Sequence, residues 1–136
     1  MNVNIVQSLT SDNQPSIDNY ENISIDNLHQ IDNNICKNLV LNDVLRFLTP
    51  QQFNDVLQKM RHGGTLTIQS PDILQMVKAL YWGSIDIDRF SSMLSNSVTY
   101  CSIITTKTLL EQHGYSIEEG KIHTDSFIFT LKAKRL

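Results

Sequence analysis

Apolar residues that recur at intervals of three and four predict an amphipathic helix in the middle of the chain. This stripe consists of Phe53, Val56, Leu57 and Met60. Thr49 can act as its N-cap, Pro50 suits the first helical position, and Gln52 is placed to complete a capping box. Gly63 and Gly64 are predicted to end the helix.

Three further helices are predicted after this one. Ser70-Pro71-Asp72 has the composition of a helix start. The stripe that follows it is Ile73, Met76, Val77, Leu80 and Tyr81. A short helix is predicted within 85–94, and another is predicted to begin at Thr105 or Thr106 and to end at Gly114.

Tyr81 and Trp82 stand together at the end of the second predicted helix. We expect this pair to lie in the core, because both side chains bury a large apolar surface. The alternative is an exposed aromatic pair at an interface.

Alternating apolar and polar residues predict strands at 3–6, 23–25, 65–69, 115–122 and 127–131. Leu39-Val40-Leu41 is instead a compact apolar run, which is typical of a strand buried on both faces. Strands that alternate with helices predict an α/β protein with a mostly parallel sheet and helices on its faces. The last two strands would form an antiparallel hairpin.

Composition and charge narrow the classes of function. The chain of 136 residues has 14 acidic and 11 basic side chains, and a net charge of −3 argues against broad nucleic-acid binding. No apolar run is long enough to span a membrane, and the first residues lack a basic signal-peptide region. Cys36 and Cys101 form no metal-binding motif or disulfide framework, so we expect packed thiols in a cytoplasmic protein.

Several short segments, in order, resemble the C-terminal half of class I S-adenosylmethionine (SAM)-dependent methyltransferases. These are Leu39–Leu48 for the family's "hvLEHL" strand end, Thr49–Gln52 for "sPEE", His62–Ile68 for "pGG.l.i", Ser70–Leu74 for "vPDl", Gly83–Phe90 for "G.i..eeF" and Leu109–Tyr115 for "LL.eaGF". Each motif is weakly specific by itself, and their order and spacing carry the resemblance. It extends over roughly residues 39–120.

The resemblance implies a Rossmann-like class I methyltransferase sheet, mostly parallel with an antiparallel C-terminal strand. The N-terminal half would be truncated within a single domain of residues 1–136, in which 1–38 are divergent and 39–136 are family-like. The implied cofactor is SAM, and the implied reaction is methyl transfer to a small molecule or a sugar.

The resemblance also implies a cofactor site at the carboxyl ends of two strands. Asp26, with Asn27 beside it, follows a strand at the position where an acidic residue commonly contacts the adenine. Leu41, Asn42 and Asp43 end the next family-like strand, where substrate and cofactor meet. From the residues alone, an acid such as Asp26 in Asp-Asn-Leu is more often a turn acid than an adenine ligand, and Asn42-Asp43 could instead cap the segment that begins at Val44.

The chain departs from the family in its first half. The family's first strand leads into a glycine-rich loop, whereas the first glycine of this chain is Gly63 and its 7–12 loop contains none. Arg46-Phe47 also replaces the Glu-His of the family motif. These departures leave two alternatives open: a non-catalytic binding or assembly module, and a site completed by another chain. A homo-oligomer, or a protein partner that covers the shortened sheet, is expected in the first case.

Overall fold

The computed structural model describes residues 1–7 and 17–136. The strands are β1 (Asn2–Val6), β2 (Glu21–Ser24), β3 (Cys36–Asn42), β4 (Met60–Pro71), β5 (Tyr115–His123) and β6 (Ile128–Arg135). The helices are α1 (Pro50–Lys59), α2 (Ile73–Tyr81), α3 (Ile87–Met93) and α4 (Ile103–Gln112), with short 3-10 helices at Ile25–Gln30 and Leu45–Phe47. The predicted glycine-free loop lies, from residue 8 onwards, outside the described residues.

The six strands form one sheet in the order β2-β1-β3-β4-β6-β5. Neighbouring strands from β2 to β4 run parallel, and β6 lies antiparallel to both β4 and β5. This arrangement confirms the predicted mostly parallel α/β sheet with an antiparallel C-terminal hairpin. No helix in the described ranges is both long and apolar enough to cross a bilayer.

One face of the sheet forms the hydrophobic core. The register places a continuous apolar row on this face: Ile23, Val3, Ile5, Leu39, Leu41, Leu66, Ile68, Leu131 and Ala133. These side chains are buried together with Phe53 and Val56 of α1 and Leu110 of α4. Helices α1 and α4 therefore cover the same face, and burial of this apolar surface supplies the main stabilisation of the fold.

The opposite face of the sheet is mostly polar, and its apolar members include Val40 and the buried Val6. The register places Asn22, Asn4, Asn2, Asn38, Thr65, Thr67, Gln69, Thr130, Lys132 and Lys134 there. The amide of Asn4 donates to Asn22 at 3.0 Å, and that of Asn38 donates to Asn2 at 3.0 Å. The prediction that residues 39–41 are buried on both faces was therefore wrong. Val40 lies on this face, where its register partners are Asn4 and Thr67, and it is only half-buried.

The predicted capping box of α1 is confirmed, whereas other helix limits differ from the prediction. The Thr49 hydroxyl accepts from Gln52 N–H at 3.2 Å, and the Gln52 side chain accepts from Thr49 N–H at 2.9 Å. Helix α1 ends at Lys59 rather than at the glycines, because Met60 already pairs with β3. The N-cap of α2 is Asp72, and that of α4 is Ser102 rather than a threonine.

The aromatic pair at the end of α2 lies in solvent. Tyr81 is 80% exposed and Trp82 is 77% exposed, so the prediction that they belong to the core was wrong. Helix α2 has apolar residues on more than one side, and the side that packs inwards carries Met76 and Ala79. The alternative interpretation, an exposed aromatic pair, is the correct one.

Tyr115 makes one stability contribution dependent on pH. Its buried hydroxyl donates to the Leu57 carbonyl at 2.7 Å, and burial raises the pKa of this phenol above its ordinary value of 10.0. Above about pH 10 the unfolded chain ionises while the folded state keeps its proton, so the free energy of unfolding falls as pH rises. We expect Tyr115→Phe to cost about 1 kcal/mol at neutral pH and to show a smaller alkaline decline. Urea unfolding of the original protein and of Tyr115→Phe from neutral to alkaline pH measures this difference. Parallel curves of the free energy of unfolding against pH would contradict the prediction.

Candidate functional site

The carboxyl ends of the four parallel strands meet at one edge of the sheet. Asp26 and Asn27 directly follow β2, and Asn42 and Asp43 stand at the end of β3. Strand β1 lies between β2 and β3, so the two groups are separated by about 10 Å of sheet. Open α/β sheets bind their ligands in the crevice at this edge. The structure thus brings the two predicted halves of the site to the same edge.

Asp26 presents its carboxylate to solvent. It lies in the first turn of the 3-10 helix at Ile25–Gln30, and its backbone N–H donates to the Ser24 hydroxyl at 3.1 Å. The carboxylate is exposed and bonds to no residue in the described part of the chain. The neighbouring Asn27 is half-buried and has a non-helical backbone conformation. Asp26 can therefore accept hydrogen bonds from a ligand.

The three predicted residues at the end of β3 lie in different environments. The Leu41 side chain is fully buried in the core, so only its main chain can contact a cofactor. Asn42 is half-buried, and its amide forms no hydrogen bond with any described residue. The next helix has Val44 at its N-cap position and no side-chain cap, so the interpretation of Asn42-Asp43 as its cap was wrong.

Asp43 is held by its backbone and by an ion pair. It has a positive φ of 56°, and its N–H donates to the Gln69 carbonyl of β4 at 2.7 Å. Its carboxylate accepts from Arg46 Nε at 2.9 Å. This pair leaves Asn42 as the group at the end of β3 whose hydrogen-bonding capacity is unused within the described residues.

Arg46 connects the edge of the sheet to the segment before α4. Its Nη1 donates to the Met93 carbonyl at 2.9 Å and to the Ser97 hydroxyl at 3.2 Å, and its own carbonyl accepts from Val98 N–H at 2.8 Å. Its guanidinium also lies 4.5 Å from the centre of the Phe47 ring. In the sequence, Arg46 stands out only because Arg46-Phe47 replaces the Glu-His of the family motif. That replacement was the one signal from which a structural role of Arg46 could have been inferred.

The end of β4 carries a buried polar cluster around Asp72. Its carboxylate accepts from the N–H groups of Leu74, Gln75 and Ile103. Nearby, the Ser70 hydroxyl and the Cys101 thiol are 3.3 Å apart. Burial raises the pKa of the Cys101 thiol, so it remains protonated and weakly nucleophilic.

The site contains hydrogen-bonding groups rather than a nucleophile or a metal centre. Within residues 1–7 and 17–136, no group of three His, Cys, Asp or Glu side chains is placed to hold a metal ion. The exposed carboxylate of Asp26 and the amide of Asn42 are suited to positioning a polar ligand across the end of β1. Chemistry that depends on orientation is therefore compatible with this edge.

In sequence, the chain matches no protein-family model and no curated protein. In structure, it is similar to a SAM-dependent methyltransferase from Mesorhizobium loti, with a TM-score of 0.66 and 14% identity over 98% of this chain and 79% of that one. A Haloferax volcanii protein solved with the Trm112 methyltransferase activator gives a TM-score of 0.60 and 8% identity over 88% of this chain and 63% of the other.

Magnesium protoporphyrin IX methyltransferase from Synechocystis, solved with S-adenosylhomocysteine (SAH), gives a TM-score of 0.56 and 15% identity over 86% of this chain. This chain spans 52% of that protein, and it spans less than two thirds of the Haloferax protein as well. The partial coverage agrees with the shortened N-terminal half. The chain therefore has the fold of the class I SAM-dependent methyltransferases.

Proposed function

We propose that residues 1–136 form a single domain that transfers a methyl group from SAM to a small molecule or a sugar. The observation that carries this proposal is the pair of unused hydrogen-bonding groups, Asp26 and Asn42, on either side of the end of β1. The methyltransferase fold of the similar structures supports it. The family-like residues 39–136 supply the β3 side of this site.

The residues at this edge would act by binding and orientation. Asp26 would accept a hydrogen bond from the adenine amine, with Asn27 beside it. Asn42 would bond near the junction of cofactor and acceptor, and Asp43, fixed by Arg46, would shape that junction. When bound, SAM supplies the electrophilic methyl group. The protein would contribute alignment of the acceptor with that methyl, which supplies much of the rate without an acid or a base.

Calorimetric titration with SAM and with SAH tests the proposal. We expect binding to weaken about tenfold in Asp26→Ala and in Asn42→Ala, because each loses a hydrogen bond to the ligand. Asp32→Ala is the matched control for Asp26. It removes another exposed carboxylate, from the segment before β3 at the opposite edge of the sheet. Absence of binding at millimolar ligand, or equal weakening in the control, would contradict the proposal.

The second candidate is a non-catalytic binding or assembly module, and an exposed apolar surface favours it. This α2 surface consists of Leu74, Val77, Tyr81, Trp82 and Ile87. Its two aromatic side chains alone expose roughly 300 Å². The largest apolar patch on a monomeric protein seldom exceeds about 600 Å². A dimer interface of ordinary size buries about 800 Å² on each partner.

We take a second copy of the chain as the occupant of the α2 surface. The charges around it balance, because Lys78 and Arg89 oppose Asp86 and Asp88. Balanced charges suit a two-fold contact between identical surfaces. We also propose a cytoplasmic location. Cys36 and Cys101 are buried and form no disulfide, which fits the reducing conditions of the cytoplasm.

Light scattering on the titrated samples separates the two candidates. A dimer that dissociates in Trp82→Ser, without any cofactor binding, would support the assembly module and contradict the enzyme. Cofactor binding by a monomer would support the enzyme alone. A partner protein, such as the activator in the Haloferax complex, and a chain that completes the site remain alternatives, and co-purification tests them.

A further inference from the structure

A cavity lies between the N-terminal ends of α1 and α4, on the core side of the sheet. Its volume is about 230 Å³. The walls are mainly apolar and come from Leu45, Leu48, Phe53 and Leu109, with Tyr100 largely exposed beside them. Leu48 and Phe53 belong to the buried core, so the cavity is a cleft into that core.

One polar side chain in the wall of this cavity forms no hydrogen bond within the described part of the chain. Thr106 is only 4% exposed, yet its hydroxyl bonds to no other described residue. Its neighbours on α4 behave differently, because the Thr105 hydroxyl donates to the Ser102 carbonyl at 3.2 Å and the Thr108 hydroxyl donates to the Ile104 carbonyl at 3.1 Å. Among the described residues, no side-chain nitrogen or oxygen is both fully enclosed and without a hydrogen bond, so the Thr106 hydroxyl is accessible from the cavity that this residue lines. A polar group bound in the cavity could therefore pair with it.

The size and lining of the cavity define the ligand. A dry cavity of about 150 Å³ lined by apolar side chains holds one benzene ring. This cavity is larger, and small-molecule sites combine apolar walls with a few polar groups that fix orientation. We propose that it binds an aromatic molecule of one or two rings that carries a hydroxyl or amine group, and that Thr106 hydrogen-bonds this group.

This binding is non-covalent and does not depend on the proposed methyl transfer. The thiol of Cys101 contributes to the wall, but it is protonated and bonded to Ser70, so it offers no nucleophile. Asp26 does not line the cavity. Loss of SAM binding in the Asp26 variant therefore leaves this proposal standing.

Phenol and toluene are suitable probes, because they have nearly the same size and differ in one hydroxyl group. We expect both to bind in nuclear magnetic resonance titrations without SAM and to shift signals of residues that line the cavity. Phenol should bind more tightly. Thr106→Val keeps the shape of the side chain and removes its hydroxyl, so phenol affinity should fall about three- to tenfold while toluene affinity stays constant.

Two further variants make the result decisive. Thr106→Ser retains the hydroxyl and should retain phenol binding, whereas Thr108→Val removes an exposed hydroxyl from the same helix and should change neither ligand. No binding of either probe at millimolar concentration would overturn the proposal. Equal loss of phenol and toluene in a folded Thr106→Val protein would overturn the role of the hydroxyl.

Discussion

Replacing Asp72 with alanine is expected to lower the free energy of unfolding by about 3 to 5 kcal/mol. The residue is 1% exposed, and its carboxylate accepts from Leu74 N–H at 2.9 Å, Gln75 N–H at 3.2 Å and Ile103 N–H at 2.9 Å. It therefore caps α2 and also bonds the first residue of α4. Alanine would leave the buried Ile103 N–H and the partly buried N–H groups of Leu74 and Gln75 without this acceptor. Urea unfolding followed by circular dichroism measures the loss.

Asp86→Ala is the matched control for this change. Asp86 is also an N-cap, but it is exposed and bonds only Arg89 N–H at 2.8 Å at the start of α3. Its replacement should cost about 1 kcal/mol. If the two variants lost equal stability, the connection between α2 and α4 through Asp72 would contribute nothing beyond an ordinary cap.

The sequence predicted the fold well because the core face follows a simple rule. Apolar residues at alternate positions of β4 and β6 and at helical spacing in α1 could be assigned directly. Burial of the second face could not be assigned in this way, because Val40 lies within a short apolar run. Such a run fits a strand that is buried on one face as well as a strand that is buried on two. The neighbours that decide the matter, Asn4 and Thr67, are set by strand register, which the local sequence does not encode.

Helix α2 illustrates the same limit. Its apolar residues occupy several sides of the helix, so periodicity alone could not select the buried one. Packing buries Met76 and Ala79 and leaves Tyr81 exposed.

The candidate site was predictable in position but only partly in detail. The rule that ligands bind at strand carboxyl ends located Asp26 and Asn42 correctly at this edge. The burial of Leu41 follows from the apolar run that contains it, but nothing in the sequence revealed that Arg46 bonds Asp43. The contacts of Arg46 with residues 93–99 join positions about 50 apart in the chain, and no local pattern predicts them. Cofactor contact by the site residues stays a prediction until the titration is done.

Gly64→Ala is the second substitution from which we expect a large loss, about 2 to 3 kcal/mol. A Cβ atom at Gly64 would lie 2.9 Å from the Cys36 carbonyl oxygen and 2.9 Å from that of Arg61, as well as 2.7 Å from Met60 Cε. The methionine can move, but the two carbonyl groups belong to the backbone of β3 and β4. Relief of the contact must therefore disturb the pairing of β3 with β4, whose register shifts between Cys36, paired with Met60, and Asn38, paired with Thr65. Thermal and urea unfolding report the effect.

The adjacent Gly63 separates this contact from a general cost of losing glycine. Gly63 has a φ of 80°, but a Cβ there would meet open space. Gly63→Ala should therefore cost only about 1 kcal/mol, from the left-handed backbone, and Gly63→Asn should cost less because asparagine tolerates that conformation. A larger loss at position 63 than at 64 would show that backbone conformation, rather than the close approach of β3 and β4, requires glycine in this pair.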